Sequence, residues 1–561
     1  MELDPKQMLH DVLVGAVVKN DWPEEVDFVV DYPTDKNAQA DLFSNVAMVL
    51  SKRVGSAPRA VAEQLLAALP ALPQVTAVEV AGSGFINFTL DRSYFTSVLA
   101  GALEAGENWG KNASWQGKKV LVEYTDPNPF KEFHVGHLFT NAVGESIARL
   151  FMMNGADTKR VNYQGDVGLH VAHAIWGLRK LGVTNVAELT PKILGKAYAT
   201  GATAYKEDQV AADEIREINK LVYSRADAAV NEIYDAGRKV SLGYFETIYA
   251  LVGTQFDEYF FESEAGPKGK ELVLAHPEVF PESDGARIFD GEQYGLHTRV
   301  FLNKEGLPTY EAKELALAKL KKERLGEYDH SVISTANEVS QYFKVLLKAM
   351  SLLYPELAAK TEHIGHGTVR LSTGKMSSRT GDVIPAIDFV AEVAEKAAEK
   401  MAAPSHQLAN EVAIAAIKYA TLKGNILQDS VFDKEKALSF EGDSGPYLQY
   451  THARICSVLE KAAEAGVQVD ASLPPPEAYA VEKLLERFPS VVEAALAERA
   501  PHQVTGYLTE LAGAFNSFYA AEKIADAADQ YAPYKAAVAK AVALTLQQGL
   551  WTLGISAPER M

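Results

Sequence analysis

KVLVEYTDPNPFKEFHVGHL, residues Lys119 to Leu138, joins an apolar run to a turn and then to a histidine-flanked glycine. Lys119 to Tyr124 reads as a buried strand, and Thr125-Asp126-Pro127-Asn128-Pro129 carries the residue types that favour turns. Downstream, Leu138, Ala142, Val143, Ile147, Leu150 and Phe151 recur at steps of three and four, closed by Asn154-Gly155, which predicts a helix. Strand, loop and helix in that order put His134-Val135-Gly136-His137 at a helix N-terminus. Free N–H groups and the positive dipole end attract phosphate there, and two imidazoles add donors. A second such tetrapeptide, His363-Ile364-Gly365-His366, has neither neighbour and reads as a strand leading toward Lys375.

The alternation continues outward. Asp157 to Tyr163 reads as a strand, and Gln164-Gly165-Asp166-Val167-Gly168 as a glycine turn into another helix, with Asp166 suited to a capping or turn role. Strands that alternate with helices predict an α/β fold, a doubly wound, Rossmann-type parallel sheet that binds ligands at its carboxyl edge. A long charged helical stretch from Thr190 to Gly253 reads as an insertion in that sheet, spanning about 190–265. Strand signals return at Leu296 to Leu302, Ser331 to Ser334 and Glu362 to Leu371.

Before the sheet, residues 1–112 read as an α+β domain. It has amphipathic helices at Asp41 to Lys52 and Pro58 to Leu69, strand-like runs at Val75 to Val80 and Gly84 to Leu90, and a polar boundary, Glu104 to Gln116. The sheet domain then covers 113–385. Residues 386–561 read as an all-helical bundle, broken by Ser439 to Tyr447 and the proline run Leu473 to Pro476.

With 561 residues and 47% hydrophobic content, the chain can bury several cores. No window approaches the roughly 18 apolar residues of a membrane span, and the N-terminal residues do not form a signal peptide, so a soluble, cytoplasmic protein with no membrane partner is expected. The single cysteine, Cys456, excludes an intrachain disulfide and a Cys-rich zinc site, and it reads as a small buried hydrophobe. A net charge of −19 argues against a general nucleic-acid coat. From Pro446 onward nine Lys and Arg face thirteen Asp and Glu, so RNA bound there must also be read by stacking and base edges. Tyr447, Tyr450, Phe515 and Tyr519 lie at helical spacing and suit either core packing or such stacking.

A second chemical signal is Gly374-Lys375-Met376-Ser377-Ser378-Arg379-Thr380-Gly381. Two cations and three hydroxyls between glycines suit a phosphate clamp, and Lys375 and Arg379 can meet charge that builds on a leaving phosphate.

With the upstream histidines, this pattern resembles the class I aminoacyl-tRNA synthetases and in detail the arginyl-tRNA synthetases. Glu123 to Leu138, Asp443 to Ser457 (DSGPYLQYTHARICS), Gly84 to Phe88 (GFINF) and Leu553 to Met561 (LGISAPERM) are similar to that family over nearly the whole length. The resemblance implies that L-arginine and ATP form arginyl-adenylate and pyrophosphate, and that the acyl group passes to the terminal adenosine of tRNA(Arg). It also implies an N-terminal domain that contacts the tRNA elbow, a helical anticodon-binding domain, and activation that requires bound tRNA. Phosphates would fall to the catalytic residues His134, His137, Lys131 and Lys375, and to Gly136, Met376, Ser377, Ser378 and Arg379 around ATP. Arginine would fall to Glu123, Asn128, Tyr310, Glu314 and Asp126, carboxylates being what a guanidinium fork requires.

Departures from the family pattern are specific. Glu314 stands for an aspartate, Asp126 for a small polar residue and Ser378 for a lysine that Lys131 would replace. Val167 stands for an aromatic beside Asp166, which leaves Asp166 with either a ligand contact or a capping or turn role. The equivalent of a family glutamine is either Glu338 or Gln341. Mg2+ is expected to arrive with ATP; no dedicated metal site, no zinc and no prosthetic group are expected, and the chain is expected to be a monomer. A small HxGH nucleotidyltransferase, another class I synthetase and a synthetase-like protein that binds without turnover remain the alternatives.

Overall fold

The computed structural model describes residues 4–33, 40–372, 384–401 and 404–561. Near the N-terminus, α1 (Pro5–Lys19), α2 (Val46–Val54), α3 (Pro58–Ala68) and α4 (Arg92–Ala105) flank an antiparallel sheet. Its strands β1 (Val30–Asp31), β2 (Leu42–Ser44), β3 (Val75–Ala81) and β4 (Phe85–Leu90) lie in the order β1-β2-β4-β3. The helix expected from Asp41 therefore starts only at Val46. Leu42 to Ser44 are drawn into strand pairing with Ile86 to Phe88, a tertiary contact that overrides the local helical period.

The central sheet is five-stranded and parallel. Its strands are β5 (Lys119–Tyr124), β6 (Asp157–Gln164), β7 (Glu258–Phe261), β11 (His330–Ala336) and β12 (Thr361–His366), in the order β12-β11-β5-β6-β7. Val120, Leu121, Val122 and Tyr124 of β5 are fully buried, as a strand covered on both faces requires. Helices α5 (Val135–Met153) and α6 (Leu169–Lys180) follow β5 and β6. A run of helices then projects from the sheet: α7 (Pro191–Glu207), α8 (Gln209–Ser224) and α9 (Ala228–Val252). That run stops short of 265. Glu258–Phe261 is the edge strand β7, placed by the Asp257 carboxylate, which accepts the Arg160 N–H at 2.7 Å.

After α10 (Glu262–Ala275), the strands β8 (Glu282–Ser283), β9 (Ala286–Phe289) and β10 (Arg299–Leu302) form a small antiparallel sheet outside the central one. Only the second half of the expected strand Leu296 to Leu302 is therefore extended. Next come α11 (Tyr310–Leu325), α12 (Ser340–Leu353) and α13 (Pro355–Lys360). The expected strand Glu362 to Leu371 breaks after β12, where Gly367 N–H donates to Ile426 O at 2.8 Å, and restarts as β13 (Val369–Leu371). Its partner β14 (Ser430–Phe432) interrupts the region expected to be all helical.

The remaining helices are α14 (Ala386–Glu399), α15 (His406–Leu422), α16 (Lys434–Ala437), α17 (Gly445–Glu464), α18 (Ala480–Leu485), α19 (Phe488–Ala497), α20 (Pro501–Ala521) and α21 (Ala532–Thr552). This bundle packs against both other parts of the chain. Arg92 pairs with the buried Glu482 at 3.0 Å, and Trp109 donates to Thr545 at 3.0 Å. Arg149 of α5 donates to Trp551 O at 2.8 Å and to Gly253 O at 2.9 Å. Among the described residues no helix is long and apolar enough to cross a membrane.

Candidate active site at the carboxyl ends of the central strands

The loop after β5 is held in an unusual shape. Thr125, Asp126 and Phe130 have φ of 78°, 40° and 67°, a region that costs non-glycine residues about 1–3 kcal/mol each. Neighbouring elements hold it there. Thr125 Oγ1 accepts from Asn141 of α5 at 3.0 Å, and Phe130 N–H donates to Ser241 of α9 at 2.9 Å. Asp126 Oδ1 accepts the Tyr163 N–H of β6 at 2.8 Å.

His134 caps α5 and His137 lies in its first turn, with the two rings stacked at 3.7 Å and 19°. His134 N–H donates to His137 Nδ1 at 3.2 Å, which leaves the His137 proton on Nε2. A side chain on Gly136 would press on the His134 ring. Burial, reinforced by Lys131, lowers His134 to about 4. His137 is held well below the usual histidine range by burial, His134 and Lys131. Both rings are thus neutral near pH 7. Lys131 is itself lowered by burial, and its ammonium lies 4.9 Å over the Tyr198 ring of α7. It lines a cavity of about 530 Å³ shared with His170, Lys313 and Tyr310. Chain returning at Ile384 docks on the same motif: Val135 N–H donates to Ile384 O at 3.2 Å, and Ala386 N–H to Phe133 O at 2.8 Å.

An acidic cavity of about 520 Å³ shares Tyr310 with the cavity of Lys131 and is lined by Glu123, Asp126, Asn128 and Glu314 among others. The structure therefore brings together all five residues expected to hold arginine. Buried Lys321 of α11 reaches Glu123 at 2.7 Å, and Lys313 reaches Glu262 at 2.5 Å. Among the described residues Asp126 and Glu314 have no such ion-pair partner. Burial, then repulsion from Glu123, pushes both carboxyl groups well above the usual carboxylate range. The phenols of Tyr163 and Tyr342 are buried in the lining without a hydrogen-bond partner among the described residues. A Cβ on Gly165 would press on the side-chain oxygen of Asn128.

Other expectations resolve differently. Asp166 does not line the acidic cavity; it caps the first turn of α10 from a distance. It is fully buried and accepts from Arg238 and Ser263 Oγ at 2.8 and 2.7 Å, from Ser263 N–H at 2.8 Å and from Tyr234 at 3.2 Å, tying its turn to α9 and α10. Glu338 lines the acidic cavity and Gln341 does not. His363 and His366 lie on β12, where the His363 ring stacks on Phe343 at 3.9 Å and bonds Thr335 at 2.8 Å. Lys375, Met376, Ser377, Ser378 and Arg379 lie outside the described residues. Tyr163, Glu262, Lys321 and Tyr342 were not legible as site residues. Tyr163 alone had a cue, its place at a strand end before the glycine turn.

A parallel sheet with a histidine-flanked helix start beyond its middle strand, and a helical bundle at the C-terminus, is the architecture of a class I aminoacyl-tRNA synthetase. Family models agree: tRNA synthetases class I (R), catalytic domain, matches residues 99–434, the DALR anticodon binding domain 448–561, and the arginyl tRNA synthetase N terminal domain 6–90. The arginine–tRNA ligase of Clostridioides difficile is 30% identical over 551 residues, 96% of each chain. That of Levilactobacillus brevis is 29% identical and covers 100% of both. The solved Thermus thermophilus arginyl-tRNA synthetase superposes with a TM-score of 0.80 at 26% identity, covering 99% of this chain and 100% of that one. The chain belongs to the arginyl-tRNA synthetase family.

Proposed function

We propose that the chain acts as an arginine–tRNA ligase through the two cavities that meet at Tyr310. The arginine carboxylate attacks the α-phosphorus of ATP in line, giving arginyl-adenylate and pyrophosphate. The 3′-terminal adenosine hydroxyl of tRNA(Arg) then takes the arginyl group and AMP leaves. No protein nucleophile is needed, so the enzyme contributes positioning and charge stabilisation.

The observation that carries this reading is the pair of carboxyl groups, Asp126 and Glu314, that have no ion-pair partner among the described residues and line one cavity with Glu123, Asn128 and Tyr310. A guanidinium supplies the positive charge that they lack. Glu123, anchored by Lys321, would offer its remaining oxygen. Asn128 and Tyr310 would orient the amino-acid end. His134 and the Nε2–H of His137 would donate to phosphate oxygens, Gly136 would admit the nucleotide, and Lys131 and Lys375 would meet pyrophosphate. Met376, Ser377, Ser378 and Arg379 would complete the ATP site, with Mg2+ held by the ATP phosphates. Residues 1–112, 113–385 and 386–561 would serve as tRNA-contacting, catalytic and anticodon-binding domains of a cytoplasmic monomer.

The test is ATP–pyrophosphate exchange with each of twenty amino acids, with and without tRNA. Exchange with arginine alone, stimulated by tRNA, is expected. Exchange with a different amino acid would overturn the substrate, and none with any would overturn the activity.

A further inference from the structure

The acidic cavity also carries a cation for which the proposed arginine site has no use. Arg299, the first residue of β10, lines it from the small antiparallel sheet. Its guanidinium reaches only to 3.7 Å of Glu311 Oε1, with side chains 39% and 9% exposed. It makes no hydrogen bond among the described residues. Lys321 and Lys313, by contrast, each grip one buried carboxylate at 2.7 and 2.5 Å. Arg299 is the loosely held charge. Of its neighbours in the lining, Glu311 is buried and Glu338 exposed.

A cavity lined by carboxylates attracts every cation, and attraction without direction does not separate guanidinium from ammonium. Specificity follows when the undirected part is weakened and the part that needs a planar fork is kept. Resting on the reading that Asp126 and Glu314 receive the arginine side chain, we propose that Arg299 is a specificity-determining residue. It neutralises Glu311 and puts positive charge on the cavity lining, so that only a ligand engaging both Asp126 and Glu314 is retained.

The test uses the full chain with tRNA in arginine-dependent ATP–pyrophosphate exchange, with L-lysine as competitor. Arg299→Gln keeps the bulk, removes the charge and frees Glu311. The inhibition constant for lysine is expected to fall about tenfold, while the KM for arginine moves less than about threefold. Arg299→Lys should restore the wild-type constant, and adding Glu311→Gln to Arg299→Gln should do the same. A lysine constant unchanged in Arg299→Gln overturns the proposal, as does an equal shift for arginine and lysine. Wild-type enzyme that fails to exchange with arginine contradicts the ligase reading instead, so the two failures are distinct.

Discussion

Asp126 concentrates the logic of the site in one side chain. Its carboxylate accepts a backbone N–H from β6 at 2.8 Å, yet burial and Glu123 still favour its proton. On the proposed reading, arginine binding expels protons from Asp126 and Glu314. The sign follows: below their raised pKa values both groups hold protons that compete with the guanidinium, so the KM for arginine rises as pH falls, and calorimetry in buffers of different ionisation enthalpy should show proton release on binding. Asp126→Asn keeps the acceptor for Tyr163 and loses only charge. Its KM for arginine is expected to rise about tenfold or more, with the proton release reduced, as suits loss of one charge-assisted hydrogen bond. An unchanged KM would remove Asp126 from the site. Asp126 and Glu314 were marked by the family resemblance, and the demand of a guanidinium for acids agreed with it. The sequence hid Lys321, because its spacing from Glu123 follows only from α11 packing beside β5.

At the scale of elements, Glu145 of α5 ties the sheet to the bundle. Fully buried, it accepts the Tyr124 hydroxyl at the end of β5, and Arg149 and Arg160 reach it at 2.7 and 3.4 Å. Lys418 of α15 lies alongside and donates to Val252 O at 2.6 Å and Gly554 O at 2.7 Å, so one ammonium joins the end of α9 to the chain after α21. Burial raises Glu145, but Arg149 and Lys418 outweigh that and hold it below the usual carboxylate range; burial and Arg149 lower Lys418 to about 7. Glu145→Gln strands three cations around a neutral group. It should destabilise the protein by about 3–5 kcal/mol, read from urea unfolding. A loss under about 1 kcal/mol would mean that the cluster is not held by its anion. The strand-loop-helix at β5 and α5 was legible because its apolar period is long and its turn residues are strong. β7 and β14 were not, since strands of four and three residues carry no period of their own and exist only where a neighbour offers an edge.

Across the whole molecule, the N-terminal part rests on the C-terminal bundle through Glu486. This buried carboxyl accepts from Tyr32 at 2.9 and 3.0 Å and from Tyr94 at 3.3 Å, with Arg487 over the Tyr32 ring at 4.3 Å. Burial is the main reason that it is raised from 4.5 to about 7, against the pull of Tyr32, Arg487 and Tyr94. A carboxyl group raised in the folded state stabilises fully at low pH, and that stabilisation, about 3 kcal/mol, is lost as pH climbs through its folded pKa. The Tm of wild type should therefore fall relative to Glu486→Gln between about pH 5 and pH 8. Parallel curves would refute the link. By itself the sequence determined the parallel α/β core and the helix start at His134, because period and turn chemistry act over a few residues, whereas the acids of the site were marked only by resemblance to a family. Only the tertiary structure decided which cation neutralises which acid, that Asp166 is a clamp, and that residues more than 450 positions apart share a proton-sensitive contact. Those outcomes depend on burial and on approach between distant elements, which no local pattern encodes.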